Sequence, residues 1–197
     1  MPFLSSIAGG SVRGYGFGLA SAAVAGATNS YFPIASYTVP SGGVSEITFG
    51  GLSQTYSHLQ IRATFKETYN TGTDVDNLNI RCNGDATASY IRHALWGTGA
   101  TAYAEGYTGQ TLGAIAITPR NTSGSTYGAM VLDILDYTNV NKTKTLRCLN
   151  GVDKNGSGEV RLSSVLWNKT EAITSITFTG DSSGFQEFTN FSIYGVN

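Results

Sequence analysis

"SHLQIRATFKE", residues 57–67, is the stretch that decides the fold, because its apolar and polar side chains alternate with a period of two. Successive side chains of a strand point to opposite faces of the sheet, so one face carries the apolar set Leu59, Ile61, Ala63 and Phe65. We expect the opposite, solvent-facing side to carry His58, Gln60, Arg62, Thr64 and Lys66. The stretch therefore predicts a strand that covers a core with one face.

Similar runs continue on both sides of this stretch, separated by turn sequences such as "PSGG" (40–43) and "DKNGS" (153–157). No amphipathic helix pattern interrupts them. Short strands at spacings of roughly 12–18 residues predict an all-β, antiparallel β-sandwich that is jelly-roll-like. The predicted strands are 34–39, 45–49, 57–67, 78–83, 89–96, 112–118, 128–137, 143–152, 158–167, 173–180 and 188–196, with a long loop over 97–110.

The first thirty residues have a different composition, rich in Gly, Ala and Ser with widely spaced large apolar residues. Within them, "GGSVRGYGFG" (9–18) is half glycine, which weakens helices and strands alike. We predict an extended N-terminal anchoring arm over 1–30 and a sandwich domain over 31–197. A short helix in "LASAAVAGA" (19–27) is the alternative, since Ala favours helices.

The arm is predicted to bind a partner through its few large side chains. Glycine permits close approach of two backbones, so the side chains between the glycines can enter pockets on a neighbouring protein. The predicted partner-binding residues of the arm are Arg13, Tyr15, Phe17 and Leu19.

Charge and hydropathy exclude several classes of partner. Charged residues make up 13% of the chain and the net charge is −1, so nothing favours binding to nucleic acid or to an anionic membrane. The longest apolar stretch, residues 16–27, is short of the ~20 residues that span a bilayer. The start of the chain lacks a basic leader, and we expect a soluble protein made in a cytoplasm.

Candidate catalytic residues are sparse, and we predict neither an enzyme nor a cofactor. His58 and His93 both lie on predicted strands, and no nucleophile-elbow, phosphate-loop or zinc-protease motif accompanies them. Cys82 and Cys148 sit in strand-like runs and are predicted to be buried free thiols, with a disulfide as the alternative.

One loop has part of the pattern of a calcium site. Asp153, Asn155 and Ser157 in "DKNGSGEV" (153–160) have the spacing of the first ligands, but Ser164 stands where a bidentate Glu is required. We predict a hairpin turn and no metal site, with weak calcium binding by the Asp153–Ser164 segment as the alternative.

Tyrosine is abundant, at eleven residues, and two tyrosines stand among small residues in the predicted loop over 97–110. Exposed tyrosines serve protein interfaces and also stack on sugar rings. Tyr103 and Tyr107 are therefore candidate surface contacts, with packing, a protein interface and a host-surface glycan as the alternatives.

Three stretches resemble parts of tailed-bacteriophage virion proteins, notably those of marine and cyanobacterial phages. "ITFGGLSQTYSHLQIRATFK" (47–66) is similar to a strand-turn-strand segment of those proteins, and "FTNFSIYGV" (188–196) resembles their closing strand. "RGYGFG" (13–18) looks like the leader of tail and fibre proteins. Together these stretches cover less than a third of the chain.

The resemblance implies a non-enzymatic structural protein of the virion, assembled in the cytoplasm of the bacterial host. Its partners would be neighbouring tail or capsid subunits. Because such proteins are commonly homo-oligomers, the resemblance also implies a homo-oligomer, specifically a trimer. We expect a tail-fibre or tail/baseplate-associated module anchored by its arm. The alternatives are a capsid decoration protein that stabilises the head and a carbohydrate-binding module for host attachment.

Overall fold

The computed structural model describes residues 30–68, 75–120, 125–154 and 156–197. All regular structure in these residues is β-strand, and every strand pairing is antiparallel, which confirms the predicted all-β class. The strands are β1 (Tyr31–Thr38), β2 (Glu46–Phe49), β3 (His58–Phe65), β4 (Val75–Cys82), β5 (Tyr90–Gly97), β6 (Ala102–Gln110), β7 (Gly113–Pro119), β8 (Gly128–Ile134), β9 (Lys144–Asp153), β10 (Gly158–Trp167), β11 (Ile176–Gly180) and β12 (Asn190–Val196).

The strands form two sheets, with the orders β1-β12-β3-β8-β9-β10-β5-β6 and β2-β11-β4-β7. Eight of them, β1 to β4, β7, β8, β11 and β12, divide equally between the sheets. Renumbered one to eight along the chain, they have the orders 1-8-3-6 and 2-7-4-5, the strand arrangement of a jelly roll. We call these eight strands the frame.

The other four strands are two inserted hairpins. The β5–β6 hairpin lies between β4 and β7 in the chain, and the β9–β10 hairpin lies between β8 and β11. Both hairpins continue the large sheet beyond β8 in the order β9-β10-β5-β6. We call these four strands the extension; β7 of the small sheet packs across β9, β10 and β5.

The core fills the space between the two sheets of the frame and continues under β9, β10 and β5 of the extension. The apolar face of β3 is at most 6% exposed, as predicted, and Phe65 stacks on Phe191 of β12 with ring centroids 6.0 Å apart. Phe191 in turn contacts Phe178 of β11 at 4.5 Å, which joins the sheets. Such burial gives about 1.5–3 kcal/mol for each large apolar side chain.

The predicted solvent-facing set of β3 is correct except for Lys66. His58, Gln60, Arg62 and Thr64 are exposed or half-buried, whereas Lys66 is only 4% exposed. The alternation ends because β3 ends at Phe65, and the Lys66 backbone N then donates to the Thr189 hydroxyl at 3.2 Å.

Two of the stretches that carry the phage resemblance lie against each other. β3 pairs with β12 along its length, and the Tyr56 ring, just before β3, covers Gly195 in β12. A Cβ on Gly195 would overlap that ring, so glycine is needed there. Tyr56 also stacks on Phe32 of β1 at 5.4 Å. These motifs therefore specify packing within the frame.

The predicted loop over 97–110 is wrong, because residues 102–110 form β6, paired with β5. Eight of the nine residues of β6 are exposed and only Glu105 is half-buried. The strand has no apolar alternation because neither of its faces reaches the core, so the pattern that identifies β3 is missing here.

The remaining fold predictions concern the cysteines and the arm. Cys82 and Cys148 are buried free thiols, and burial raises the pKa of each to about 12. The arm residues Arg13, Tyr15 and Phe17, together with Leu19, lie outside the described residues, so the arm stays a prediction. No helix in the described ranges is long and apolar enough to cross a membrane.

Candidate functional site

A cleft of about 480 Å³ opens where β4 and β7 face the inner side of the extension. This volume is within the range of small-molecule sites, ~300–1,000 Å³. The apolar lining comes from Val75, Tyr90, Leu112, Ala114 and Ile117. The polar lining and the aromatic rim come from Asp76, Asn77, Asn79, Arg92, Glu105, Tyr107, Gln110, Thr111, Arg161 and Asp181.

Strand alternation and one bulge aim the side chains of β6 into the cleft. Tyr107 pairs with Arg92 and Tyr103 pairs with Trp96, so these residues share the inner face of the β5–β6 hairpin. The register then shifts, and Gln110 pairs with Tyr90. Gly109, with φ of +66°, lies in the shifted segment, where a β-bulge re-aims the side chains that follow. The bulge places Gln110 on the cleft side.

Arg92 is the central cation of the cleft. Its guanidinium pairs with the Glu105 carboxylate, and its Nη1 donates to Asn77 Oδ1 at 3.3 Å. It also lies 5.3 Å from the centre of the Tyr107 ring. Burial, reinforced by neighbouring Arg161, lowers the pKa of Arg92. Arginine nevertheless stays charged in proteins, so Arg92 acts as a fixed donor and a positive centre.

Arg161 of β10 is a second arginine of the cleft and lies nearer than Arg92 to the turn of the β9–β10 hairpin. Its Nη2 lies 2.8 Å from a Glu159 carboxylate oxygen, and its guanidinium covers the Trp96 ring at 4.7 Å. Trp96 stacks on Tyr103, with ring centroids 5.2 Å apart and planes inclined by 16°. The stacked rings still leave Tyr103 46% exposed, and Tyr107 is 50% exposed.

The opposite wall carries carboxylates that are already partnered. Asp76 accepts from the Arg120 guanidinium and from the Ser182 hydroxyl, each at 2.5 Å. Asp181 accepts from Asn79 Nδ2 at 3.2 Å. Every charge of this wall is therefore balanced or hydrogen-bonded close by, and the cleft has no strong excess of either sign.

Glu67 lies buried behind this wall. Its carboxylate accepts from the Asp181 backbone N at 3.3 Å and from the Ser183 hydroxyl at 3.2 Å. Burial, with a further contribution from the negative charge of Asp76, raises the pKa of Glu67 to about 7. This carboxyl is thus the group beside the cleft that titrates near neutrality.

The groups that line the cleft can stack on a ligand and form hydrogen bonds with it. The cleft brings together ring faces, arginine and amide donors, and carboxylate acceptors, without a Ser, Cys or His lining it. His93 is exposed on the opposite face of β5, and His58 Nδ1 accepts from the Asp136 backbone N at 2.9 Å, far along the sheet. No group of three or more His, Cys, Asp or Glu in the described residues could hold a metal ion.

The segment that was compared with a calcium-binding loop, residues 153–160, forms a β-hairpin, as predicted. β9 ends at Asp153 and β10 begins at Gly158, and these two residues pair in register. Ser164 lies inside β10, paired with Arg147 and His93, far from the turn. Asn155 lies outside the described residues.

Sequence reasoning singled out Tyr103 and Tyr107, and both stand at the cleft side of β6, though on a strand instead of a loop. It missed Arg92, Arg161 and Gln110. The alternation of "SYIRHALW" places Arg92 on the side of buried Tyr90 and Ala94, and this signal marks it as inward-facing. The pairing of β5 with β10, which brings in Arg161, has no local signal.

The outer face of the large sheet carries a second feature, a row of exposed apolar residues that begins on β8 of the frame and continues across the extension. One side chain from each strand lies in direct register with the next across five strands. The exposed fractions are 40%, 56%, 46% and 59% for the first four members. We call this set the outer apolar row: Val131, Leu149, Leu162, Leu95 and Ala104.

Comparison of the chain with protein-family models and with curated proteins found no match.

Proposed function

We propose that the chain is a structural protein of a tailed-phage virion, a tail-fibre or tail-associated module that packs against neighbouring subunits. The observation that carries this proposal is the outer apolar row. Contiguous exposed apolar surface is rare on monomers and marks protein interaction sites. With strands ~4.8 Å apart, the row extends about 19 Å across the sheet, wide enough to receive a flat partner.

The partner proposed for this row is a second copy of the chain, in a homo-oligomer that the phage resemblance implies to be a trimer. A polar row runs beside the apolar one and would form a rim, as in protein interfaces. Its members Asp133 and Arg147 are ion-paired at 3.0 Å, and Ser164 and His93 continue it in register. The low charge content of the chain suits close subunit contact.

Self-association tests the role of the row. We expect the full-length chain to be oligomeric in analytical ultracentrifugation, and the double variant Leu149→Lys, Leu162→Lys to be a folded monomer. Buried unpaired charge would oppose assembly, whereas in the monomer the two exposed lysines, directly opposite each other, would cost only about 0.2–1 kcal/mol. The matched control is Ser164→Lys in the polar row, which should stay oligomeric. A monomeric wild type, or a double variant that still assembles, would contradict the proposed interface.

The virion assignment has its own test. Gold-labelled antibody against the sandwich domain should decorate the tails of phage particles that carry this chain. Label on the heads would favour the capsid decoration alternative. Particles without label, together with no peptides of the chain in purified virions, would overturn the virion proposal.

A further inference from the structure

We propose that the cleft between the small sheet and the β5–β6 hairpin binds a neutral saccharide. This goes beyond the structural role above and concerns the opposite face of the extension. The proposal rests on three observations: the charge balance of the cleft, its mixture of donors and acceptors, and the exposed rings at its rim.

The charge balance disfavours a strongly anionic ligand. Three arginines and four carboxylates line the cleft or form ion pairs with residues that line it, and each arginine already pairs with a carboxylate. An incoming phosphate or sulfate would meet no unpaired cation and would face carboxylates on both walls. The charged groups are Arg92, Arg120, Arg161, Asp76, Glu105, Glu159 and Asp181.

The polar groups suit hydroxyls, which both donate and accept hydrogen bonds. Carboxylate oxygens of Asp181 and Glu105 can accept from a ligand, while Gln110 and Asn77 offer both roles. Arg92 is 6% exposed and pairs with Glu105, so it holds that carboxylate in place for a ligand hydroxyl.

The exposed rings supply the apolar contact that a saccharide needs. Tyr103 and Tyr107 share the cleft side of β6 with Glu105 between them, and residues four apart on a strand are about 13 Å apart. A platform of that length can take a short run of sugar rings. Arg92 below Tyr107, and the Trp96 stack on Tyr103, hold both rings in place before a ligand arrives. Such preorganisation reduces the entropic cost of binding.

Electrophoresis through gels that contain polysaccharide tests this inference on the full-length chain. The probes are dextran, mannan and galactan, with dextran sulfate as the anionic counterpart of dextran. We expect at least one neutral polysaccharide to retard the protein and dextran sulfate to give no greater retardation. Movement unchanged in all three neutral gels, or retardation that is stronger in dextran sulfate, would overturn the proposal.

Variants then place the binding in the cleft. Tyr107→Ala should weaken retardation about tenfold or more, as loss of an aromatic anchor does, whereas Tyr107→Phe keeps the ring face and should retain binding. Gln110→Ala should also weaken binding. The matched control is Tyr37→Ala, a 38% exposed tyrosine on β1 at the other edge of the sheet. Equal binding by Tyr107→Ala, Gln110→Ala and the control, with unchanged thermal melts, would place any binding elsewhere.

Discussion

The frame and the extension are built by the same antiparallel pairing, yet at some positions of the extension charged side chains lie on the inner face and apolar ones on the outer face. In the frame, β3 buries Leu59 and Ile61 and turns Gln60 and Arg62 outward. In the extension, β10 turns Leu162 outward and holds Arg161 on the inner side, 8% exposed. At this position the usual pattern is inverted, with an apolar side chain outside and a charged one within, whereas Val165 and Trp167 of the same strand face the core. Both proposed surfaces follow from this inversion.

The largest expected effect is the difference in stability loss between substitution of a buried apolar residue and substitution of an exposed one. We expect Phe65→Ala in the frame to lose about 3–5 kcal/mol of unfolding free energy, because a fully buried ring leaves a cavity. Leu162→Ala in the extension should cost at most about 0.5 kcal/mol in a monomeric background, since its side chain is 46% exposed. Urea denaturation of both variants measures the difference. Similar losses would mean that the outer apolar row is covered within the monomer.

The next prediction concerns Glu67, which lies behind the wall of the cleft that the frame supplies. Its folded pKa, about 7, is above the ~4.3 of an unfolded glutamate, so the folded chain holds a proton that the unfolded chain releases between these values. Stability should therefore fall as pH rises from about 4.5 to 7 and then level off. Glu67→Gln should remove that slope and gain roughly 2–3 kcal/mol at pH 8.

Thermal melts from pH 4.5 to 8 check the behaviour of Glu67. Glu46→Gln, at an exposed position of β2, is the control and should keep the wild-type slope. A Glu67→Gln profile parallel to that of the wild type would show that the carboxyl is ionised in the folded protein at pH 5.

A smaller effect tests the contact between the phage-like motifs. Gly195→Ala should cost about 1–3 kcal/mol, because its Cβ would overlap the Tyr56 ring and force β12 or the ring to move. Gly50→Ala is the control, since nothing lies within 4 Å of the Cβ it would gain. Equal melting temperatures for the two variants would remove the packing explanation for the Tyr-Gly run.

Sequence alone predicted every strand except β6, including β5, β9 and β10 of the extension to within one residue at each end, and the reason is burial. β3 and β8 can be recognised as strands from the sequence because one face is apolar and the other is largely polar. β6 has no buried face, so its sequence lacks this alternation and a loop was predicted there. The cleft needs Arg92 and Arg161, which lie 69 positions apart and meet only because β10 pairs with β5. No local pattern encodes that pairing of two inserted hairpins. Tyr103 and Tyr107 were found by residue type alone.

The strand order of the large sheet has a mechanical consequence. β1, which follows directly from the predicted arm, and β6, which borders the cleft, are its two edges, separated by seven strand pairings. A tension applied between those edges would act perpendicular to the strands. It would load the hydrogen bonds between one pair of strands at a time, so the pairs would separate one after another. The small sheet lies over the frame strands of the large sheet and, through β7, over β9 and β10, but it leaves the β5–β6 hairpin mostly uncovered, so the hairpin would be the first part to yield. A molecule held at one edge and loaded at the other would thus have its mechanical weak point beside the cleft.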